Sequence, residues 1–415
     1  MENRMRIFVI ESDGSGGLVH YAYQLCTALA EEGCEVTLVT AVDYELDHFP
    51  HNFQVVKLLR LWERYEKEVE TIADASKLRR GFRGIYTKVR RAFRAVRWVL
   101  AWAHLTFFLL RSKPDIIQFS KMHFAFESYF IHYLRKRGIF LSQICHEFEE
   151  REGQSYLESL LLGVRKDVYT NFSAIFLHAK ENRDRFKKLY PSVPEKSLHI
   201  IEHGNSKWLL RFTPHELEIA KKRREYGLQE GQKVVLFFGL LAPSKGLDDL
   251  IEAFAIASKE CDARLLIAGY PTKFIDMTEL KKNIARLNLT DKVLFDLRYL
   301  RVEEIGLLMH LATVVVYPYR SSTQSGALQA AYIFGKPVIA SMAGGLPEVV
   351  EDGKSGFLVP VQSPVELAKR ITELISNPSL AENMGNYARH LADTRFSWNT
   401  IAKKILAVYE SLDEF

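Results

Sequence analysis

A chain of 415 residues with a net charge of +5 is longer than one hydrophobic core commonly supports, so two domains of roughly 200 residues each are expected. Its 47% hydrophobic, 12% aromatic and 26% charged residues exclude a largely disordered polymer. The four cysteines, Cys26, Cys34, Cys145 and Cys261, form no C-x-x-C pair, which excludes a zinc or disulfide framework and fits buried thiols in a reducing compartment.

The N-terminal MENRMRIFVIE runs into a strand without an apolar signal core, so the protein is expected to stay in the cytoplasm. From there, short apolar runs alternate with helix-period stretches, the pattern of parallel sheets joined by crossover helices. The first series predicts strands at 7–10, 36–40, 55–59, 116–119, 140–144, 174–177 and 199–201. A second series follows at 234–238, 264–268, 293–295, 314–317, 338–340 and 357–359, with helices near 247–259, 278–287, 302–311, 325–334 and 364–376. The fold class is α/β, with two Rossmann-like domains in succession. The polar, Pro-containing stretch Glu202–Pro214 sets the join near 207.

Gly14-Ser15-Gly16-Gly17 follows the first strand and opens a helix over 18–32, where free N–H groups and the helix dipole favour an anion. Its spacing is not the G-x-G-x-x-G of a dinucleotide site, and a plain strand-to-helix turn explains it equally well. In the second half, Gly239 to Lys245-Gly246 again joins strand to helix and places one lysine before the helix start, where its charge suits a diphosphate. The strand at 140–144 ends at Cys145-His146-Glu147, and strand C-termini are where ligands bind in open α/β sheets. His146 is therefore expected at the site, with Glu147 placed to receive a proton. His146, Glu147, Glu149 and Glu150 cluster in sequence, but consecutive residues diverge in direction and no D-x-D motif is present, so a metal-independent reaction without a cofactor is expected.

These motifs, with Tyr317-Pro318-Tyr319, Ser325-Gly326, Gly335-Lys336-Pro337-Val338-Ile339, Gly344-Gly345-Leu346-Pro347-Glu348 and Gly353-Lys354-Ser355-Gly356, occur in the order found in glycosyltransferase family 4, which the chain resembles. The N-terminal half adds Leu29–Thr40, Lys113-Pro114-Asp115 and His203-Gly204-Asn205, and residues 60–112 are the part least covered. The resemblance implies a GT-B fold, two Rossmann-like domains facing a central cleft. Residues 1–206 with a returning helix at 396–415 form the acceptor side, and 207–395 bind the nucleotide sugar. It implies transfer of a hexose-type sugar from a UDP- or GDP-sugar with retention of configuration, and a role for His146 in hydrogen-bonding that sugar.

Two departures stand out. The Arg that follows the family's glycine is Leu240 here, and the usual glutamate pair falls on Ser322 and Ala330. Arg320 is expected to compensate for the first. Gln324, Ser325 and Gly326, at a helix start, with Gln329 one turn on, are expected to replace the second, as in a family subgroup with a Gln-Ser-Gly loop. The donor set is then Gly16, Gly17, Gly239, Lys245, Arg320, Gln324, Ser325, Gly326 and Gln329, and the catalytic pair His146 and Glu147. The losses also motivate an alternative, a catalytically silent binding or scaffold protein. A related sugar-nucleotide epimerase is a third reading.

Between Asp74 and Asp115 stand eleven Lys/Arg and no acid. Phe82, Ile85, Tyr86, Val89, Phe93, Val96 and Leu100 fall on one helical stripe, flanked by basic residues that include Arg83, Arg90, Arg91, Arg94 and Arg97. Such a helix suits the headgroup boundary of an anionic membrane, whereas Trp98–Leu110 is expected to pack on the sheet. That apolar run is thirteen residues long and contains His104, short of the roughly 20 that span a bilayer. The protein is therefore expected to be peripheral on the inner face of the cell membrane, with a glycan or lipid-linked acceptor. No nucleic-acid motif accompanies the charge.

Overall fold

The computed structural model describes residues 4–59, 80–148 and 166–412, the side chains of 80–95 excepted. Within these residues lie two wholly parallel sheets, as the apolar runs predict. The first has seven strands: β1 Arg6–Ile10, β2 Glu35–Ala41, β3 Gln54–Leu59, β4 Ile116–Phe119, β5 Phe140–Ile144, β6 Ala174–Leu177 and β7 Leu198–Ile200, in the order β3-β2-β1-β4-β5-β6-β7. The second has six: β8 Lys233–Phe238, β9 Ala263–Ala268, β10 Val293–Asp296, β11 Val314–Tyr317, β12 Val338–Ser341 and β13 Gly356–Val359, in the order β10-β9-β8-β11-β12-β13. In each sheet the direction of strand addition reverses once, between β1 and β4 and between β8 and β11. Loops leaving the carboxyl ends of those strands diverge and leave a ligand position there.

The chain divides into two compact units. The first holds the described residues up to His178, Arg183–Ile201 and the helix Trp398–Leu412; the second holds Ala179–Asn182 and Glu202–Ser397.

Burial on both faces is why the inner strands read as continuous apolar runs. In the first unit one face receives the helix Arg80–Ser112, which buries Trp98, Trp102, Leu105 and Leu109 against Phe8, Ile117, Phe119 and Leu141. Trp102 stacks on Phe119 with ring centroids 5.9 Å apart. Both indole N–H groups donate to Glu127 Oε1, at 2.8 Å from Trp98 and 3.2 Å from Trp102, while Oε2 accepts the His123 amide at 2.7 Å. Burial still raises the Glu127 carboxyl to about 7. On the opposite face, residues of the other parity along the strands meet the C-terminal helix. There Tyr409 donates to Gln118 Oε1 and accepts from Ser142, both at 2.6 Å.

One side of Trp98–Leu110 therefore packs on the sheet as its pattern predicts, whereas its other side, together with Val96 of the stripe before it, turns outward. Val96 is 59% exposed and Leu100 64%, and Phe107, two turns further on, is 62% exposed. The side chains of Arg83, Arg90, Arg91 and Arg94 lie outside the described residues; Arg97 is half-buried. No helix among the described residues is long and apolar enough to cross a membrane.

In the second unit the helices Leu247–Ala257, Met277–Arg286, Val302–Leu311, Gly326–Ile333 and Pro364–Ser376 occupy the predicted spans to within two residues. The helix Pro378–Asp393 was not among those expected. It starts at a clear signal, an Asn377 side chain that accepts from the Leu380 amide with Pro at the first helical position.

Candidate functional site

In the second unit the loops after β8 and β11 meet at the reversal point. The backbone joins them where the Arg320 amide donates to Ser244 O at 2.8 Å. Gly246 sits in the left-handed region at φ +65°, and a Cβ there would lie 1.9 Å from the Pro318 carbonyl oxygen, so glycine permits this approach. It sets Lys245 against the second loop, with the ammonium 3.9 Å above the centre of the Tyr319 ring.

Tyr319 is the hub. Its hydroxyl lies 3.4 Å from Ser325 Oγ and close to where a Cβ on Gly239 would be, at 3.9 Å. Ser325 caps the helix Gly326–Ile333 by accepting the Leu328 amide at 3.2 Å. Gly239, Lys245 and Ser325, predicted from separate motifs, thus converge on one aromatic residue, with Gly326 next to Ser325 at the helix start. Gln329, one turn into the helix, is buried, and its Oε1 has no hydrogen-bond partner among the described residues; Gln324 Oε1 is likewise buried without one. His203 borders Gly326, its Nε2 3.6 Å from where a Cβ would stand, and burial lowers its pKa to about 4, so it is neutral in ordinary buffers.

Arg320 departs from expectation. Its Nε and Nη2 form a two-pronged pair with Asp249, both at 2.9 Å, and Asp248 lies 4.0 Å away. A guanidinium neutralised by a carboxylate adds little net positive charge, so Arg320 does not replace the cation missing at Leu240. Lys245 is the cation the loop presents over Tyr319.

In the first unit Gly16 also behaves differently from expectation. Its amide donates to Glu45 Oε1 at 2.7 Å, and the same oxygen meets His20 Nε2 at 2.5 Å. The helix start Gly17–Glu31 does attract an anion, but that anion is the protein's own carboxylate. Gly17, next in the chain, has open space where a side chain would stand.

His146 lies just beyond β5 and is buried, and Glu147 beside it is exposed, its Oε2 held by Lys121 Nζ at 2.8 Å. The His146 Nδ1 lies 3.2 Å from Nε2 of His178, whose own Nδ1 meets the Ile201 carbonyl at 3.3 Å. Tyr21 from the helix Gly17–Glu31 sets its ring edge-on to His146, centroids 4.6 Å apart. Glu11, just past β1, is another titratable group sequence reasoning passed over. Burial, reinforced by Asp13, pushes its carboxyl to about 8, and Oε1 accepts the Asp13 amide at 2.7 Å. Among the described residues no three His, Cys, Asp or Glu side chains gather as a metal site; Glu149 and Glu150 lie outside them.

Residues 15–205 match the family model described as Glycosyltransferase Family 4, and residues 218–391 match the one described as Glycosyl transferases group 1. Each model falls on one of the two parallel sheets, and together they take in nearly the whole chain. The chain belongs to glycosyltransferase family 4. This glycosyltransferase is 28% identical to spore coat protein SA of Bacillus subtilis over 64% of its own length and 68% of that protein. It is 32% identical to the D-inositol 3-phosphate glycosyltransferase of Streptomyces bingchenggensis over 57% of its length and 52% of that enzyme. Apart from the spore coat protein, the chain spans about half the length of the first curated relatives it matches. In structure it resembles HepE of Anabaena in complex with UDP, with a TM-score of 0.70, 20% identity, and coverage of 99% of this chain and 100% of that one. Its fold is GT-B, built on two Rossmann-like parallel sheets.

Proposed function

We propose that this glycosyltransferase moves a hexose-type sugar from a UDP- or GDP-sugar to a lipid-linked or membrane-proximal glycan, with retention of configuration and without a metal. The observation that carries the donor side is the convergence of Lys245, Gly239 and the Ser325-Gly326 helix start on Tyr319. A single ammonium over an aromatic ring, beside the first amides of a helix, suits a diphosphate, which leaves with the electron pair of the broken anomeric C–O bond. The acceptor hydroxyl forms the new C–O bond and gives up its proton, which the Glu147 carboxylate is placed to receive. His146, buried at a strand end, serves to hold a hydroxyl of the transferred sugar, and Glu147 is the nearby carboxylate open to solvent. HepE binds UDP in its solved complex, which makes UDP-glucose the first donor to try.

The test is release of nucleotide diphosphate and transfer of labelled sugar across a panel of UDP-, GDP- and ADP-sugars. Lys245→Ala is expected to lower donor turnover at least tenfold. If no sugar nucleotide raises the melting temperature, the enzyme reading fails, since a ligand at 100 times its Kd stabilises by about 2.7 kcal/mol.

The membrane side rests on the exposed residues Val96, Leu100 and Phe107 on a helix whose sequence is strongly basic. An interfacial helix of this kind buries its apolar side chains at the headgroup level and meets anionic lipid with its guanidinium groups. We place the enzyme peripherally at the inner face of the cell membrane on that basis. Flotation with anionic and neutral vesicles tests it. The intact protein should float with anionic vesicles, and Leu100→Asp with Phe107→Asp, or Arg90, Arg91, Arg94 and Arg97 changed to Gln, should abolish flotation. Equal flotation of both variants and the parent defeats the idea.

A further inference from the structure

We propose that His178 is a positioning residue: it fixes the tautomer of His146 so that Nε2 of His146 accepts a hydrogen bond from a sugar hydroxyl. The inference rests on the role given above to His146 and adds the residue that prepares it.

The two histidines are neighbours because of strand register. Ile144 of β5 pairs with Phe176 of β6, and His146 and His178 each lie two residues further along, in step at the carboxyl ends of adjacent parallel strands. Both are buried, and the Tyr21 ring packs against the two at centroid distances of 4.6 and 5.6 Å. Tyr21 is in turn backed edge-on by Trp398 at 4.8 Å. This packing holds the imidazole planes in place.

The direction of the hydrogen bonds follows from one fixed point. The Ile201 carbonyl oxygen can only accept, so the ring nitrogen that meets it at 3.3 Å, His178 Nδ1, carries a hydrogen. Two adjacent buried imidazoles disfavour a cation, and a neutral ring has a single N–H. His178 Nε2 therefore holds a lone pair. It faces His146 Nδ1 at 3.2 Å, which must then be the donor. His146 is left with its lone pair on Nε2. A backbone carbonyl thus sets, through two rings, the hydrogen-bonding character of the atom offered to substrate. An Nε2 acceptor takes a hydroxyl hydrogen and repels a phosphate oxygen, so the relay assigns His146 to the sugar rather than to the diphosphate. The same relay stiffens the ring orientation, as a carbonyl partner does for a ligating histidine.

The tautomer is measurable without any substrate. Full-length protein labelled with 15N-histidine, with the His146 signals assigned by their loss in His146→Gln, gives long-range proton–nitrogen correlations that distinguish the two forms. The wild-type spectrum is expected to show His146 protonated at Nδ1 and bare at Nε2. A wild-type His146 protonated at Nε2 overturns the proposal by itself, whether or not any variant folds. His178→Phe, which removes the acceptor, is expected to move the His146 hydrogen, and His178→Gln, whose amide both accepts and donates, to keep it on Nδ1.

The kinetic arm uses the best donor from the sugar-nucleotide panel. His178→Phe should lower kcat tenfold or more with KM for the donor within threefold, and His178→Gln should recover most of the loss. If His178→Phe lowers kcat and raises KM together and Gln rescues neither, His178 is merely structural and the proposal falls. If no sugar nucleotide reacts with the parent, the functional reading fails instead, while the spectrum still decides the relay.

Discussion

Replacing Gly246 with alanine tests whether the close approach of the loops after β8 and β11 builds the Lys245 site. Two costs add. The residue sits at φ +65° and ψ 33°, a left-handed conformation that costs a non-glycine residue about 1–2 kcal/mol. The new Cβ would also lie 1.9 Å from Pro318 O and 3.0 Å from its carbonyl carbon, both backbone atoms that cannot swing aside. Forcing the loops apart is an overpacking change of about 1–3 kcal/mol. The total is about 2–5 kcal/mol.

An internal control separates the two. Gly353 has φ +75° and nothing within 4 Å of where its Cβ would stand, so Gly353→Ala carries the conformational cost alone. Urea unfolding followed by far-ultraviolet circular dichroism should place Gly246→Ala about 1–3 kcal/mol below Gly353→Ala, the overpacking share of the cost. The opened loops break the 2.8 Å bond from the Arg320 amide to Ser244 and move Lys245 off the Tyr319 ring. Calorimetric titration with UDP should then show an affinity roughly tenfold weaker, equivalent to about 1.4 kcal/mol, in Gly246→Ala only. If the two variants unfold together and bind UDP as the parent does, the close approach does not build the site.

Tyr319→Phe keeps the ring under Lys245 and loses only a 3.4 Å hydroxyl contact, so its UDP affinity should stay within about threefold of the parent. Tyr319→Leu removes a cation–π contact worth about 0.5–2 kcal/mol and should weaken binding several-fold more; equal affinities would refute Tyr319 as the hub. Glu127→Gln gives a pH signature. The folded carboxyl titrates near 7 against 4.5 when unfolded, because burial disfavours the charge, so the folded state holds its proton more tightly. Glu127 therefore supports the fold fully below pH 4.5 and loses that support as pH rises through 7. The stability advantage of the parent over Glu127→Gln should shrink by a few kcal/mol from pH 4.5 to 8, and a pH-independent difference would argue against it.

The inner strands were legible because they are compact apolar runs covered on both faces, and several, such as Ile116–Phe119 and Val314–Tyr317, fall where the runs begin and end. Glycine and lysine positions in the second unit were legible for a related reason: strand-to-helix loops carry ligands in such sheets, and Lys245 stands just before a helix. What stayed hidden depends on partners distant in sequence. Nothing local announces that Asp249 takes up Arg320 from 71 positions away, or that Glu45 reaches back 29 residues to the Gly16 amide. His178 was invisible for the same reason, since its relation to His146 is a matter of register between β5 and β6. Tyr319 stands within a sequence motif, but its role emerges only when the loop after β8 brings Lys245 over its ring.

The final helix has an implication for how the molecule is made. Trp398 and Tyr409 belong to the first unit, where the Tyr409 hydroxyl links Gln118 on β4 to Ser142 on β5. A ribosome therefore emits the second unit entire before it delivers the piece that finishes the first. Until then a polar pair on two central strands waits uncovered, and the half that is synthesised earliest matures last.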